Sequence, residues 1–350
     1  MKKIAYIELD THAEIAVNFM ELMADSKAFE VDYYFSERII KRIGKHQSNI
    51  YLSENTELLH QLNQLHYDLV IIGTLHRYFN LFNEIVSRFN TSVIVHNLNF
   101  TKISRFQLFK NIFKKDVKYR LKLWLKEDLL SAPKVFKNAE NLLVLDQSLI
   151  QNKLKFLPVF FNQYHGKTDS EVLTIVIPGA VSQQRRDYKK VLQELIYFQE
   201  IDSEKSVQVI FLGKARGKEL LWLQDFEKEK SNQVSIQYFT EKVPQNIFDE
   251  WMNAAHVLWC PIQRETEFFS HKEIYGKTKM TGNIGDAIKY GKTAFFPENY
   301  PTDFEFIINR NNNLGPGIFD FKGDEGAHFR KDFSKNKVKS ELEKVLTSIL

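Results

Sequence analysis

The stretch from Tyr275 to Pro297 reads YGKTKMTGNIGDAIKYGKTAFFP, and its residue types and spacing suit the holding of a phosphorylated ligand. Gly276 and Gly282 lie in a loop that runs into a short helical pattern. Asp286 falls one turn in, Gly291 stops the helix, and the apolar run Thr293 to Phe296 ends at Pro297. A helix start presents backbone N–H groups and a dipole of roughly +0.5 charge, so it favours an anion. Glycines let a phosphate approach the backbone closely. A carboxylate one turn into the helix can accept hydrogen bonds from a ribose diol. Together these features form a grip for a nucleotide diphosphate, with Gly282, Asn283 and Asp286 as its contacts.

The elements that must position this loop alternate between short apolar runs and amphipathic stretches, the signature of parallel α/β architecture. In the first half, strands are expected at Lys3 to Leu9, Glu30 to Phe35, Asp68 to Ile72, Ser92 to His96 and Asn141 to Leu145, with helices such as His12 to Ala24 and Thr56 to Leu65 between them. In the second half, strands are expected at Val172 to Ile177, Val207 to Leu212, Val234 to Tyr238, His256 to Cys260 and Thr293 to Phe296. The pattern therefore occurs twice. The 350 residues exceed what one hydrophobic core usually organises, and 43% hydrophobic content suffices for two domains. Phe156 to Phe161 and the polar run Asn162 to Ser170 read as the linker, giving domains of 1–165 and 166–350. The last helix, Lys337 to Ile349, is expected to pack back on the first domain.

The order acid, Ala, apolar, any, any, Gly, followed by a strand ending in Pro, resembles the donor-site signature of GT-B glycosyltransferases. Asp286-Ala287-Ile288-Lys289-Tyr290-Gly291 falls where many of them carry Glu-Ala-Met-Ala-x-Gly. In the retaining family with paired glutamates, the second Glu holds the ribose and a first Glu eight residues earlier contacts the donor sugar. This chain departs at both positions, with Asp286 for the ribose Glu and Thr278 for the earlier one. The resemblance implies two Rossmann-like domains whose parallel sheets face across a cleft, an acceptor domain first and a nucleotide-sugar domain second. It also places Gly179 after a strand, Arg185 where a phosphate-binding Lys usually lies, and Arg186 as its neighbouring alternative. A guanidinium suits that task because its planar fork pairs bidentately with phosphate oxygens. Lys214 offers a second phosphate contact, and the turn FTEKVP resembles the one that packs on the nucleobase through backbone around Val243.

A base for the acceptor is harder to read. Asp10-Thr11-His12-Ala13 follows the first strand, and an imidazole with a pKa near 6.5 suits proton abstraction from a hydroxyl, with Asp10 placed to orient it. In retaining relatives the His near the donor sugar follows a later strand, which here offers His96, or else His76. Transfer of a sugar to a glycan or lipid-linked acceptor is the function implied. A GT-B nucleotide-sugar epimerase and a silent GT-B subunit partnering a transferase are its alternatives.

From Lys102 to Lys126 the chain reads KISRFQLFKNIFKKDVKYRLKLWLK, a basic amphipathic helix in which phenylalanines at near-helical spacing alternate with lysines. Such a face can lie on anionic lipid, gaining roughly 1 kcal/mol per basic residue, or can pack into the domain with its lysines solvated. A net charge of +4 is too mild to argue for nucleic acid. No Asp-x-Asp occurs, and one cysteine among scattered histidines makes no zinc constellation, so neither a metal nor another cofactor is expected. Walker, Gly-x-Ser-x-Gly and Gly-x-Gly-x-x-Gly patterns are missing as well. A lone Cys260 rules out an intramolecular disulfide, and Glu8 and Asp10 cut the first apolar run before it can serve as a secretory segment. The expectation is a cytoplasmic protein, peripheral on the inner membrane face if the basic helix meets lipid.

Overall fold

The computed structural model describes residues 1–44, 47–151, 153–163, 172–200, 205–310, 317–321 and 327–350. The chain divides into two compact units. The first comprises Met1–Phe161, Glu267–Met280 and Lys335–Leu350, and the second Asn162–Thr266 and Thr281–Ser334.

In the first unit the strands are β1 (Lys2–Glu8), β2 (Phe29–Phe35), β3 (Ile50–Leu52), β4 (Leu69–Ile72), β5 (Thr91–Ile94), β6 (Asn141–Val144) and β7 (Leu154–Phe156). They pair in parallel in the order β3-β2-β1-β4-β5-β6-β7. Alternation along β1 sends Ala5 and Ile7 to one core and Ile4 and Tyr6 to another, so both faces of the sheet are covered and its strands read as continuous apolar runs. The second core is closed by the helix Ala13–Met23 and by the terminal helix Lys335–Ser348, which contributes Val338, Leu342 and Leu346.

The second unit repeats the scheme with β8 (Leu173–Pro178), β9 (Val207–Lys214), β10 (Val234–Phe239), β11 (Val257–Trp259), β14 (Ala294–Pro297) and β15 (Ile307–Arg310), in the order β10-β9-β8-β11-β14-β15. Its core joins Ile175, Ile177, Val209 and Phe211 to Val191 and Leu195 of the helix Tyr188–Glu200 and to Leu223 and Phe226 of Gly217–Glu229. Relabelled from its own first strand, the second sheet has the order 3-2-1-4-5-6 of doubly wound dinucleotide-binding folds, and the first has the same order with a seventh strand added at its edge. The remaining strands, β12 (Glu265–Phe268) and β13 (His271–Ile274), form a separate two-stranded sheet.

Every strand expected from the sequence is present to within two residues, whereas β3, β7, β12, β13 and β15 are additions of three or four residues. The run Phe156 to Phe161 is not a linker. Phe156 ends β7, and Leu157, Val159 and Phe161 are buried in the first unit. Asn162 belongs to the second unit and donates from Nδ2 to the Ile288 carbonyl at 3.0 Å. Residues 164–170 of the expected linker lie outside the described residues. The single basic helix is also corrected, because the chain forms Arg105–Ile112 and Val117–Glu127, broken at Asp116 with φ +49°. Periodicity survives such a break, since one left-handed residue barely disturbs the apolar spacing on either side.

The terminal helix begins at Lys335, 179 residues after the last strand of the first unit ends at Phe156, so its contribution to that unit is directly testable. Leu342→Ala and Leu346→Ala each delete a fully buried side chain and should destabilise that unit by about 2–5 kcal/mol. Chemical denaturation followed by a probe in the first unit should show the loss, and an unchanged midpoint would mean the helix is dispensable there.

Candidate active site

In the second unit the loops that leave β8 and β9 press directly on each other. A Cβ on Gly213 would sit 2.3 Å from the Gly179 carbonyl oxygen, and Gly179 itself has φ +101°, a conformation that side chains rarely adopt. A Cβ on Gly179 would also lie 2.5 Å from Arg186 Nη2. Arg186 is held over this glycine from both sides. Its backbone bridges Ile262, the Asp187 N–H donates to the Pro261 carbonyl at 2.7 Å, and the Gln263 N–H donates to the Arg185 carbonyl at 2.9 Å. The Arg186 guanidinium donates to Asn283 Oδ1 at 3.1 Å and to the Ala180 carbonyl at 3.4 Å. Its Nε is buried without a hydrogen-bond partner.

The glycine-bearing loop forms the other wall. The helix Gly282–Tyr290 is capped by Thr281, whose hydroxyl accepts the Asn283 N–H at 3.3 Å, and it ends at Gly291 with φ +60°. Asn283 is buried and donates from Nδ2 to the Pro178 carbonyl and to Asp286 Oδ2, each at 3.3 Å. One asparagine therefore ties the end of β8, the arginine and the acid to the helix N-terminus. A Cβ on Gly282 would meet nothing within 4 Å, so packing does not require glycine there and the space above the first turn is open.

Of the remaining expected contacts, Arg185, Lys214 and Thr278 have bonds of their own. Arg185 is exposed, and its backbone is engaged in the loop, the N–H donating to the Ser182 carbonyl at 3.0 Å and the carbonyl accepting the Gln263 N–H. Lys214 is exposed and pairs with Glu241 at 3.1 Å, and Val243 is half-buried ahead of the helix Gln245–Ala254. Thr278 belongs to the first unit, where its hydroxyl accepts the Ile274 N–H at 2.8 Å and its carbonyl accepts the Leu98 N–H at 2.8 Å. Cys260 is buried at the end of β11, and burial pushes its thiol far up, so it stays neutral.

In the first unit, His12, His76 and His96 follow β1, β4 and β5 and come together. The rings of His12 and His96 stack at 4.0 Å with 18° between their planes, and His76 stands edge-on to both at 6.2 and 5.7 Å. His96 Nε2 donates to the Gly73 carbonyl at 2.9 Å, which fixes its tautomer. Asn97 donates to His76 Nε2 at 3.3 Å and accepts from the Lys279 ammonium at 2.5 Å. Burial pushes His76 down to about 3 and His96 well below its ordinary value, with the charge of His12 acting in the same direction, so both rings are neutral near pH 7.

His12 is the ring equipped for proton transfer. Its Nδ1 lies 2.9 Å from Glu14 Oε1, and an Nδ1–H donated there leaves the lone pair on Nε2. The carboxylate on His12 is thus Glu14's, while Asp10 lies 3.7 Å from the Arg38 guanidinium. Beneath the loop, the fully buried Glu8 accepts the N–H groups of Asp10 and Thr11 at 3.0 and 3.2 Å and the Thr74 hydroxyl at 2.6 Å. Burial raises the Glu8 carboxyl and these hydrogen bonds oppose the rise. Sequence reading missed Glu8, Glu14 and Asn97. Glu14's offset of two from His12 was a legible signal, but a buried acid at the end of an apolar strand was legible only as an interruption.

No family model and no curated protein sequence matches the chain. Among solved structures it is similar to Anabaena HepE in complex with UDP, with a TM-score of 0.61 and 11% identity over 99% of this chain and 100% of that one. It is also similar to the pneumococcal O-GlcNAc transferase GtfA in complex with UDP and GlcNAc, with a TM-score of 0.58 and 7% identity over 99% of each chain. A third likeness is to the UDP-GlcNAc 2-epimerase of Neisseria meningitidis bound to UDP-GlcNAc, with a TM-score of 0.53 and 9% identity over 99% of this chain and 100% of that one. Such identities establish a shared fold. The chain has the GT-B fold, which glycosyltransferases and nucleotide-sugar epimerases both use.

The depressed His76 has a measurable consequence. Between about pH 6.5 and its folded value of about 3, the unfolded chain binds a proton that the native ring refuses, so stability rises with pH and falls on acidification. The slope from this residue is at most about 1.4 kcal/mol per pH unit. The stability advantage of the wild type over His76→Asn should therefore shrink from pH 6.5 to pH 4.5 by up to about 2.3 kcal/mol, that slope integrated over the two pH units. A difference independent of pH would mean the native ring takes the proton freely.

Proposed function

We propose that this protein is a glycosyltransferase that takes a sugar from a nucleoside-diphosphate donor, in the first instance a uridine diphosphate sugar, and passes it to a hydroxyl of a glycan or lipid-linked acceptor. The carrying observation is the cradle in the second unit: Arg186 over Gly179, Asn283 joining the arginine to Asp286, and open space above Gly282 at a helix N-terminus. These groups match the three parts of such a donor. The guanidinium and the helix dipole take the diphosphate, the loop glycines let it approach, and Asp286 takes the ribose hydroxyls. That HepE and GtfA were solved with UDP, and the epimerase with UDP-GlcNAc, supports the choice of nucleotide.

In the reaction the bond between the anomeric carbon and the diphosphate breaks, and the acceptor oxygen forms a new bond to that carbon. The diphosphate leaves with concentrated negative charge, so preorganised positive groups lower this barrier most, and the assignment calls on no metal. His12 Nε2 takes the acceptor proton, and Glu14 stabilises the imidazolium that results. His96 stays neutral and holds the His12 ring by stacking, while Glu8 fixes the loop that carries it.

A second reading, a nucleotide-sugar epimerase, is supported by the likeness to the Neisseria enzyme. Incubation with a nucleotide sugar in deuterated water separates the two, since epimerisation through carbanion chemistry exchanges a ring hydrogen and transfer does not. A silent subunit would bind no nucleotide at all.

Calorimetric titration with UDP tests the cradle. Arg186→Ala and Asp286→Ala should each weaken binding by about 1.5–3 kcal/mol, the scale of hydrogen bonds to charged groups, with Arg185→Ala costing less. Gly282→Val should fill the open space, weaken binding by at least about 1.4 kcal/mol and leave the melting temperature nearly unchanged. Unaltered affinity in all of these variants would remove the donor assignment.

Turnover tests the base. His12→Ala should lower kcat by about a hundredfold or more without changing nucleotide affinity, and Glu14→Gln should produce a smaller loss in the same direction. Normal turnover in His12→Ala would point to a retaining reaction that needs no enzyme base.

A further inference from the structure

The helices Arg105–Ile112 and Val117–Glu127 carry a surface that neither candidate site uses. Their buried sides are complete, with Leu108, Ile112 and Leu123 fully enclosed in the core of the first unit. Packing has no need of Phe106, Phe113 and Leu125, yet these remain 67%, 53% and 74% exposed. The Phe109 ring meets Phe113 at 5.4 Å and Trp124 at 5.3 Å, both edge-on, so the aromatic patch is continuous from one helix to the other. Single exposed apolar residues are ordinary, but a contiguous aromatic patch marks an interaction surface.

Cations surround this patch. Between Lys102 and Lys126 there are nine basic residues and one acid, Asp116. Arg120 is buried, where it donates to the Asn111 carbonyl and to Ser270 Oγ, and Lys115 pairs with Glu267 at 2.8 Å. The next acid, Glu127, is turned inward onto Arg77 at 2.6 Å and the Tyr78 N–H at 2.9 Å, so it does not offset the surface charge. The Arg120 bond to Asn111 staples the second helix to the end of the first, and its bond to Ser270 ties that helix to the turn between β12 and β13.

We infer that this hairpin docks on a membrane surface rich in anionic phospholipid, placing its aromatic patch among the acyl chains and its lysines at the headgroups. The charge decides among occupants. A second copy docking by a two-fold axis would set the same cations against themselves. A polyanion such as RNA would engage the lysines and leave the phenylalanines and Leu125 in water. An anionic lipid surface engages both classes of residue. No helix among the described residues is long and apolar enough to cross a membrane, so the attachment is peripheral. The inference rests on no catalytic assignment, and it survives or fails separately from the proposed reaction.

The full-length protein can be sedimented with vesicles of phosphatidylcholine alone and of phosphatidylcholine mixed with phosphatidylglycerol. Partition should require phosphatidylglycerol and should weaken as salt shortens the screening length below about 8–10 Å. Changing Lys114, Lys118 and Lys122 together to Gln should lower the partition constant at least about tenfold, and so should changing Phe106, Phe113 and Leu125 together to Ser. Circular dichroism melts confirm that each variant is folded, and Lys114→Gln alone, a solvent-exposed change, should give a proportionate smaller loss. Equal partition into neutral vesicles, or none into either, overturns the proposal. Undiminished binding by the serine variant overturns it in favour of simple polyanion attraction. A concentration-dependent dimer in light scattering that the serine changes abolish overturns it in favour of a second copy.

Discussion

Both candidate sites depend on a reversal of winding at the first strand of each sheet. β1 lies between β2 and β4, and β8 between β9 and β11, so the connections that leave these central strands run to opposite faces. Their loops must part at the carboxyl ends of the strands, and the crevice between them is where open parallel sheets hold ligands. Several of the groups assigned a chemical task sit on such loops, while Asn283 and Asp286 lie on the helix Gly282–Tyr290 and Glu14 on the helix Ala13–Met23. His12 follows β1, His76 follows β4, Gly179 follows β8, and the turn that pins Arg186 follows β11. The helices cover the apolar faces, and the loops at the strand ends are left to do chemistry.

The two crevices are built from opposite electrostatics. In the second unit a guanidinium is fixed by neutral acceptors, the carbonyl of Ala180 and the amide oxygen of Asn283, so its charge remains available. The glycines at 179 and 213 make this possible because any side chain would force the two loops apart. In the first unit, charge is suppressed. His76 and His96 are held neutral by burial, and the acid beneath them is surrounded by hydroxyl and amide donors. Only His12 combines partial exposure with a carboxylate partner, which suits a group that must gain and lose a proton.

The basic hairpin shows how a stable core and an interaction surface can share one pair of helices. Leu108, Ile112 and Leu123 satisfy the core, and Arg120 supplies the bond between helices that a longer apolar stripe would otherwise give. The outward residues are thereby released from any structural duty. Their aromatic and cationic character is a property of the surface alone.

The sequence by itself determined the main strands and the helix of the glycine-bearing loop. Continuous apolar runs such as Ile4–Ile7 and Ile175–Ile177 announced buried parallel strands, because a strand covered on both faces must be apolar throughout. Gly282, Asp286 and Gly291 announced the helix Gly282–Tyr290, because helix boundaries are local and obey fixed spacing, whereas the Thr281 cap was seen only in the structure. What lay between distant residues was decided only by the tertiary structure. Adjacent arginines at 185 and 186 are equivalent in sequence, and only the bridge to Ile262 turns the second one over Gly179. His12 and His96 stood as alternatives because 84 residues separate them, and the pairing of β1 with β4 and β4 with β5 stacks their rings. Thr278 and Asp286 lie only eight residues apart, yet the chain passes from one unit to the other between them. Local spacing specifies backbone conformation through short-range sterics and hydrogen bonds, whereas the meeting of side chains depends on how strands are ordered across a sheet, and that order is set by the burial of both faces at once.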